Sequence, residues 1–114
     1  MLLLEHDAKT LLQAAGVAVP PGVLMPPGVE AELPPGPWVV KAQVLASRRG
    51  KAGGIRAAGN LGTVVAEVAA LIGQQIGGYP VRACRVEQQV RGNEISLSLG
   101  IDPASGGVRL LFSP

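Results

Sequence analysis

The stretch "GPWVVKAQVLASRRGKAGG", residues 36 to 54, decides how the rest of the chain is read. Its start, Trp38-Val39-Val40, is apolar and β-branched, which predicts a strand from Trp38 to Val44 buried on both faces. That strand carries Lys41, and a lysine there must either snorkel to water or meet an anion. A loop over residues 45 to 54 follows, with Arg48, Arg49 and Lys51 set among glycines. Lys41, Arg48, Arg49, Lys51 and Arg56 are half of the ten basic residues, and no acid lies between Glu32 and Glu67. Such a distribution marks a local anion site, or a basic loop that is merely solvated.

Two phosphate-binding patterns are excluded by inspection. A P-loop needs a glycine five residues before its Gly-Lys and a hydroxyl residue after it. Here Gly50-Lys51 has Leu45 and Ala52 at those positions. A dinucleotide fingerprint opens directly into a helix, whereas Gly50, Gly53 and Gly54 precede Ile55-Arg56-Ala57, which reads as a returning strand. The loop therefore joins two strands and is free to fold over a ligand. Its glycine N–H groups can approach phosphate oxygens closely, and its arginines can pair with them.

Composition narrows the class. With 114 residues, 47% hydrophobic, the chain can bury roughly two-thirds of its unfolded surface as one small domain or a piece of a larger one. Only 3% is aromatic, so Ala, Val and Leu must build the core. A net charge of +2 without interleaved aromatics gives no basis for nucleic-acid binding. Cys84 and His6 are single, which excludes an internal disulfide, a thiolate metal cluster and a Ser/His triad within these residues. Met-Leu-Leu-Leu at the start is stopped by Glu5, His6 and Asp7, and no run approaches the ~20 apolar residues of a membrane span. The expectation is a soluble protein of the reduced cytoplasm.

Along the chain, Leu4, Ala8, Leu11, Leu12 and Ala15 share one face of a helix over residues 4 to 15, stopped by Gly16. Seven of the ten prolines fall between Pro20 and Pro37, where a short strand at Val23-Leu24-Met25 and a stunted helical turn over 29 to 33 are expected. That region is either a packed connection or a linker. A helix over 61 to 75, capped by Asn60 or Thr63, turns Val64, Val65, Val68, Leu71 and Ile72 to one side and ends at Gly77-Gly78. Residues 81 to 90 form a strand, and 93 to 101 and 108 to 112 form a hairpin about "DPASGG". The order predicts an α/β (α+β) fold, a mixed sheet with flanking helices and an antiparallel C-terminal hairpin.

The stretch "GPWVVKAQVLASRRGKAGGIR" resembles the ATP-grasp signature of the β subunit of ADP-forming succinyl-CoA synthetases and related acyl-CoA ligases. In that family a strand like "VVKAQV" leads into "GGRGKAGG". The opening "LLEHDAKTLLQAAGVAVPPG" is similar to the family's start, and "VEQQVRGNEISLSLGID" matches a later stretch apart from a missing residue before Glu94. The resemblance implies that residues 1 to 114 are a partial ATP-grasp nucleotide-binding domain. It implies ATP/ADP or GTP/GDP as ligand, with Lys41 on the phosphates and Arg48-Arg49-Gly50 as the covering loop. Glu87 and the backbone near Val90 would lie at the base-binding hinge, and Glu94 would face the nucleotide. By residue type alone, Glu87 and Glu94 read as solvated strand carboxylates.

The family's Gly-Gly-Arg-Gly is here Ser47-Arg48-Arg49-Gly50, and its second helix is a proline-broken remnant. Family members continue well beyond the point matched by Pro114, through the residues that hold Mg²⁺. The resemblance therefore implies a nucleotide-positioning part of a tricarboxylic acid cycle ligase, inactive alone. Mg²⁺ would be held only with the rest of the domain, and an α-type CoA-binding subunit would be the partner. The phosphohistidine of the family belongs to that partner, so His6 reads as a plain surface residue. An uncovered hairpin edge predicts a homodimer or a separate second half. The alternative is a non-catalytic relic or interaction module that keeps the fold.

Overall fold

The computed structural model describes residues 2–114. Helix α1 (Glu5–Ala14) opens it, followed by β1 (Gly22–Met25), β2 (Trp38–Ala42), β3 (Ile55–Ala58) and helix α2 (Leu61–Leu71). Two short strands follow, β4 (Gln75–Ile76) and β5 (Tyr79–Pro80), and then β6 (Cys84–Gln88), β7 (Ser96–Ile101) and β8 (Val108–Ser113). β1, β6, β2 and β3 make the main sheet in that order, and each pairing is antiparallel. Strands β4–β5 and β7–β8 are separate hairpins.

The two faces of the main sheet have opposite chemistry. Val40, Ala42, Cys84 and Val86 point to one side, where Val64, Val68 and Leu71 of α2 close the core. Lys41, Arg85 and Glu87 alternate to the other side, and the registers Lys41↔Arg85 and Val39↔Glu87 bring them together. β6 lies between β1 and β2 and is buried on both faces.

α1 covers the charged side. It ends in a Schellman motif, with Gly16 at φ +88°, its N–H donating to the Gln13 carbonyl, and the Val17 N–H donating to the Leu12 carbonyl. The expected apolar face is not the one that packs. Glu5, His6 and Lys9 are turned toward the sheet, whereas Leu11 and Leu12 are exposed. The physical reason is the sheet itself: its face there is ionic, and only a polar helix face complements it.

Three other expectations need correction. No helical turn forms over residues 29 to 33; one turn at Pro27-Gly28 is followed by chain without regular structure, because the prolines bar successive helical bonds. Ala31 and Leu33 of this segment still pack on the core, so it is a connection rather than a linker. α2 stops at Leu71, not near Gln75, because Ile72 turns to ψ 129° and Gly73 to φ +86°. Gly77-Gly78, at φ +58° and +83°, instead forms the two-residue turn of the β4–β5 hairpin, which carries Ile76 back into the core. The strand expected over 81 to 90 is confined to Cys84–Gln88.

The β7–β8 hairpin stands apart. From Gln89 to Pro114 every residue but Asp102 is exposed. Cross-strand pairs Leu97↔Phe112, Leu99↔Leu110 and Ile101↔Val108 place six apolar side chains on one uncovered face.

Candidate functional site

The chemistry of the molecule is concentrated where α1 meets the sheet. Lys9 Nζ donates to both oxygens of Glu87, at 3.0 and 2.8 Å. Lys41 Nζ donates to Glu5 Oε1 at 3.0 Å and also pairs with Glu87. Arg49 reaches back from the loop to Glu5 Oε2 and, through Nη1, to the Ala42 carbonyl at 3.1 Å. Arg85 Nε donates to Glu87 Oε2 at 2.8 Å. Four cations thus surround two carboxylates, so positive charge is in excess.

Burial by itself would raise the carboxyl of Glu5. Hydrogen bonds from Lys9 and Lys41, with the charges of Lys41 and Arg49, outweigh it and hold the pKa at about 2. Burial likewise opposes ionisation of Glu87, but Arg85, Lys41 and Lys9 lower its pKa. For Lys41, burial works against the charge while hydrogen bonds to Glu87 and Glu5 raise the pKa. All of these groups are ionised at neutral pH. Among the described residues no buried side-chain nitrogen or oxygen lacks a partner, so the network is complete as it stands.

Local sequence explains the placement. Glu5 and Lys9 are four apart on α1 and share a face, joined at 2.8 Å. Arg85 and Glu87 are two apart on a strand and share a face. Gly22 on β1 lies over them: a Cβ there would come within 2.7 Å of Glu87 Cβ and 2.8 Å of the Arg85 guanidinium. Only glycine leaves room for the pair. Arg85 Nη2 in turn donates to the Pro20 carbonyl at 2.8 Å, which ties the site to the start of β1.

The residues singled out from sequence fall into two adjoining groups. Arg48, Arg49 and Gly50 line a cavity of about 490 Å³ together with Glu5. Lys41, Glu87, Val90 and Glu94 line a second, of about 370 Å³, together with Lys9. Glu5 joins the two groups by bonding Lys41 and Arg49 at once. Arg48 is exposed with φ +56°, and Val90 and Glu94 are exposed. The loop between β2 and β3 folds on itself through bonds from the N–H groups of Gly53 to Gly50 and of Gly54 to Arg49.

Sequence reasoning missed Glu5, Lys9 and Arg85, although the four-residue and two-residue spacings were readable signals. His6 is also corrected. It is half-buried, its Nδ1 is 2.8 Å from Arg85 Nη1, and its backbone N–H donates to Gln43 Oε1 at 2.8 Å. Arginine does not give up its proton, so Nδ1 is the accepting atom of this contact. Cys84 supplies no nucleophile: burial, opposed only by the charge of Arg56, pushes its thiol up to about 11.

This arrangement can hold a small polyanion against lysine and arginine beside a cavity, and it offers no group poised for covalent chemistry. The ATP-grasp domain matches residues 2–114. The chain is 38% identical over 103 residues to the succinate–CoA ligase [ADP-forming] subunit beta of Dichelobacter nodosus, covering 80% of this chain and 27% of that protein. It is 34% identical over 126 residues to the namesake of Thiobacillus denitrificans, covering 99% and 33%. For that of Pyrobaculum islandicum the identity is 40% over 119 residues, covering 100% and 31%. The chain thus spans about a third of the length of these relatives. By the match along residues 2–114, it belongs to the ATP-grasp domain family.

Proposed function

We propose that this chain is the nucleotide-binding portion of a succinate–CoA ligase-like β subunit. It holds ATP/ADP or GTP/GDP and positions the phosphates for phosphoryl transfer in acyl-CoA formation. The observation that carries this reading is the convergence of Lys41, from a strand, and Arg49, from the loop, on one carboxylate beside two cavities. A site that gathers cations from separate elements around a small anion is suited to phosphate. The ADP-forming relatives agree with it.

Lys41 and Arg49 contribute charge at the phosphates, and Arg48 and Gly50 form the remainder of the covering loop. Glu87, Val90 and Glu94 line the second cavity, which would take the nucleoside. Phosphoryl transfer depends on positioning and charge stabilisation, and this part of the chain supplies positioning. Mg²⁺ does not fit these residues. Among those described, no cluster of three or more acidic, histidine or cysteine side chains is placed to hold a metal, and Glu5 and Glu87 are already paired with cations. The reading therefore assigns Mg²⁺ to the rest of a complete ATP-grasp domain and CoA chemistry to an α-type subunit. Residues 1 to 114 are on this reading a partial domain with no ligase turnover alone, acting in the cytoplasm. No helix among the described residues is long and apolar enough to cross a membrane.

Calorimetric titration of ADP into the unaltered chain and Lys41→Ala tests the reading. The variant is expected to bind about tenfold or more weakly, since charge-assisted bonds contribute roughly 1.5 to 3 kcal/mol. Equal affinities would remove Lys41 from the site. A second reading, a non-catalytic interaction module, is favoured by the uncovered apolar face of the β7–β8 hairpin. Retained fold with no nucleotide affinity would decide for it.

A further inference from the structure

The Glu5 carboxylate is held as a bound ligand would be. Its Oε1 receives Lys9 at 2.8 Å and Lys41 at 3.0 Å, and its Oε2 receives Arg49. Lys9 reaches Glu5 within one turn of α1, whereas Lys41 and Arg49 come to it from a strand and a loop, so no local geometry obliges those two to meet there. We propose that Lys9, Lys41 and Arg49 form one phosphate cradle whose resident occupant is the Glu5 carboxylate, and that a polyphosphate binds by taking Glu5's place. The proposal rests on the nucleotide reading above, and adds Lys9 to the residues that hold phosphate and Glu5 as the group that competes with it.

Three observations carry it. Glu5 is the reachable acid of the pair: its side chain keeps 19% exposure and lines the larger cavity, whereas Glu87 keeps 3%. Glu87 therefore stays, and continues to orient Lys9, Lys41 and Arg85 from beneath. Second, the site already has more cations than carboxylates, and withdrawal of Glu5 widens that excess, which suits a ligand of several negative charges rather than one. Third, Glu5 is the first residue of α1, with exposed Leu2 and Leu3 before it, so its side chain can swing to water without breaking core packing. A carboxylate and a terminal phosphate accept the same charge-assisted bonds from lysine and arginine, so the exchange conserves the bonding of all three cations. The resident anion also lowers apparent affinity, because only the fraction of molecules with Glu5 withdrawn can bind.

Titration of inorganic triphosphate and of ADP into the unaltered chain, Glu5→Gln, Lys9→Gln, Lys9→Arg and the control Asp7→Asn tests this. Glu5→Gln is expected to bind triphosphate about tenfold more tightly, the effect of losing a competing charge-assisted contact. Lys9→Gln is expected to bind about tenfold more weakly, with Lys9→Arg restoring the affinity. Asp7→Asn makes the same charge change on an exposed position of the same helix, and should alter affinity less than about twofold. Absent triphosphate binding, or a Glu5→Gln affinity equal to or below that of the unaltered chain, overturns the cradle. So does an Asp7→Asn effect as large as that of Glu5→Gln. If Glu5→Gln fails to fold by circular dichroism, the Lys9 pair decides, and unchanged affinity in Lys9→Gln overturns it. Triphosphate behaving as expected while ADP fails to bind would leave the cradle standing and remove the nucleotide reading.

Discussion

Lys9 on α1 grips both oxygens of Glu87 on β6, across 78 residues of sequence, at 3.0 and 2.8 Å. Glu87 is also the partner of Lys41 and of Arg85, which is almost wholly buried. Glu87→Gln should therefore leave the Arg85 charge uncompensated and cost about 3 kcal/mol, as when one partner of a buried pair is removed. Urea unfolding followed by circular dichroism measures it. A loss under about 1 kcal/mol, the range of surface pairs, would mean that water reaches the network freely.

Acid should dissolve the same network in a defined window. The pKa of Glu5 is about 2 in the folded chain and that of Glu87 is also lowered, so both contribute stability above the unfolded glutamate value. The share of Glu5 is complete above about pH 5, starts to fall near the unfolded value of roughly 4.3, and is gone near pH 2, and that of Glu87 is likewise lost as pH falls. Lys41 acts oppositely: its raised pKa contributes below the unfolded lysine value of roughly 10.4 and is lost as pH rises beyond it. Thermal midpoints across pH 2 to 6 follow the first effect. In Glu5→Gln the acid-dependent fall should be visibly smaller.

Arg48 occupies left-handed backbone at φ +56°, where a side chain costs about 1 to 2 kcal/mol. Arg48→Gly removes that cost but adds freedom to the unfolded chain, so a net gain of about 0.5 kcal/mol is expected. Gly53 is the converse, with φ +80°, and Gly53→Ala should lose about 1 kcal/mol. Paired thermal melts compare the two signs. The glycine that the family places at the position of Arg48 is the residue this backbone favours.

Leu71 is fully buried at the last turn of α2, against the core face of the sheet. Leu71→Ala is expected to cost about 3 kcal/mol, within the range for large-to-small changes. Because a domain of this size is stable by only about 5 to 15 kcal/mol, the loss should show as a clear drop in the urea midpoint.

The hairpin face of Leu97, Leu99, Ile101, Val108, Leu110 and Phe112 should drive association at micromolar concentration, as a homodimer or with a separate second half. Sedimentation velocity of the unaltered chain and of Leu99→Lys checks it. Self-association abolished by the lysine is the expected result, and a clean monomer in the unaltered chain would refute it.

Strands were the legible part of this fold. The strands expected over 38 to 44, 93 to 101 and 108 to 112 form at Trp38–Ala42, Ser96–Ile101 and Val108–Ser113, shifted only at their ends, because β-branched content and turn residues are local signals. The turn of residues 29 to 33 and the end of α2 misread because glycine and proline dihedrals, not periodicity, decide them. The site was half legible. Lys41 and Arg49 stood out as cations without nearby acids in sequence, but Glu5 and Glu87 lie 36 and 46 positions from Lys41, and Glu5 lies 44 from Arg49. α1 misled most: its leucines suggested which face packs, and the ionic sheet beneath it chose the other.

That docking gives the molecule two seams of opposite temperament. α2 is fixed to the sheet by Val64, Val68 and Leu71, whereas no residue of α1 is buried and ions fasten it. Sulfate, excluded from protein surface, tightens the first seam. The same salt screens the rim of the second, where Glu5, Lys9, Lys41 and Arg49 keep 16 to 19% exposure. A rising concentration of such a salt would therefore harden the body of the fold while easing α1 away from it, so the helix over the cations is released by conditions that make everything beneath it more stable.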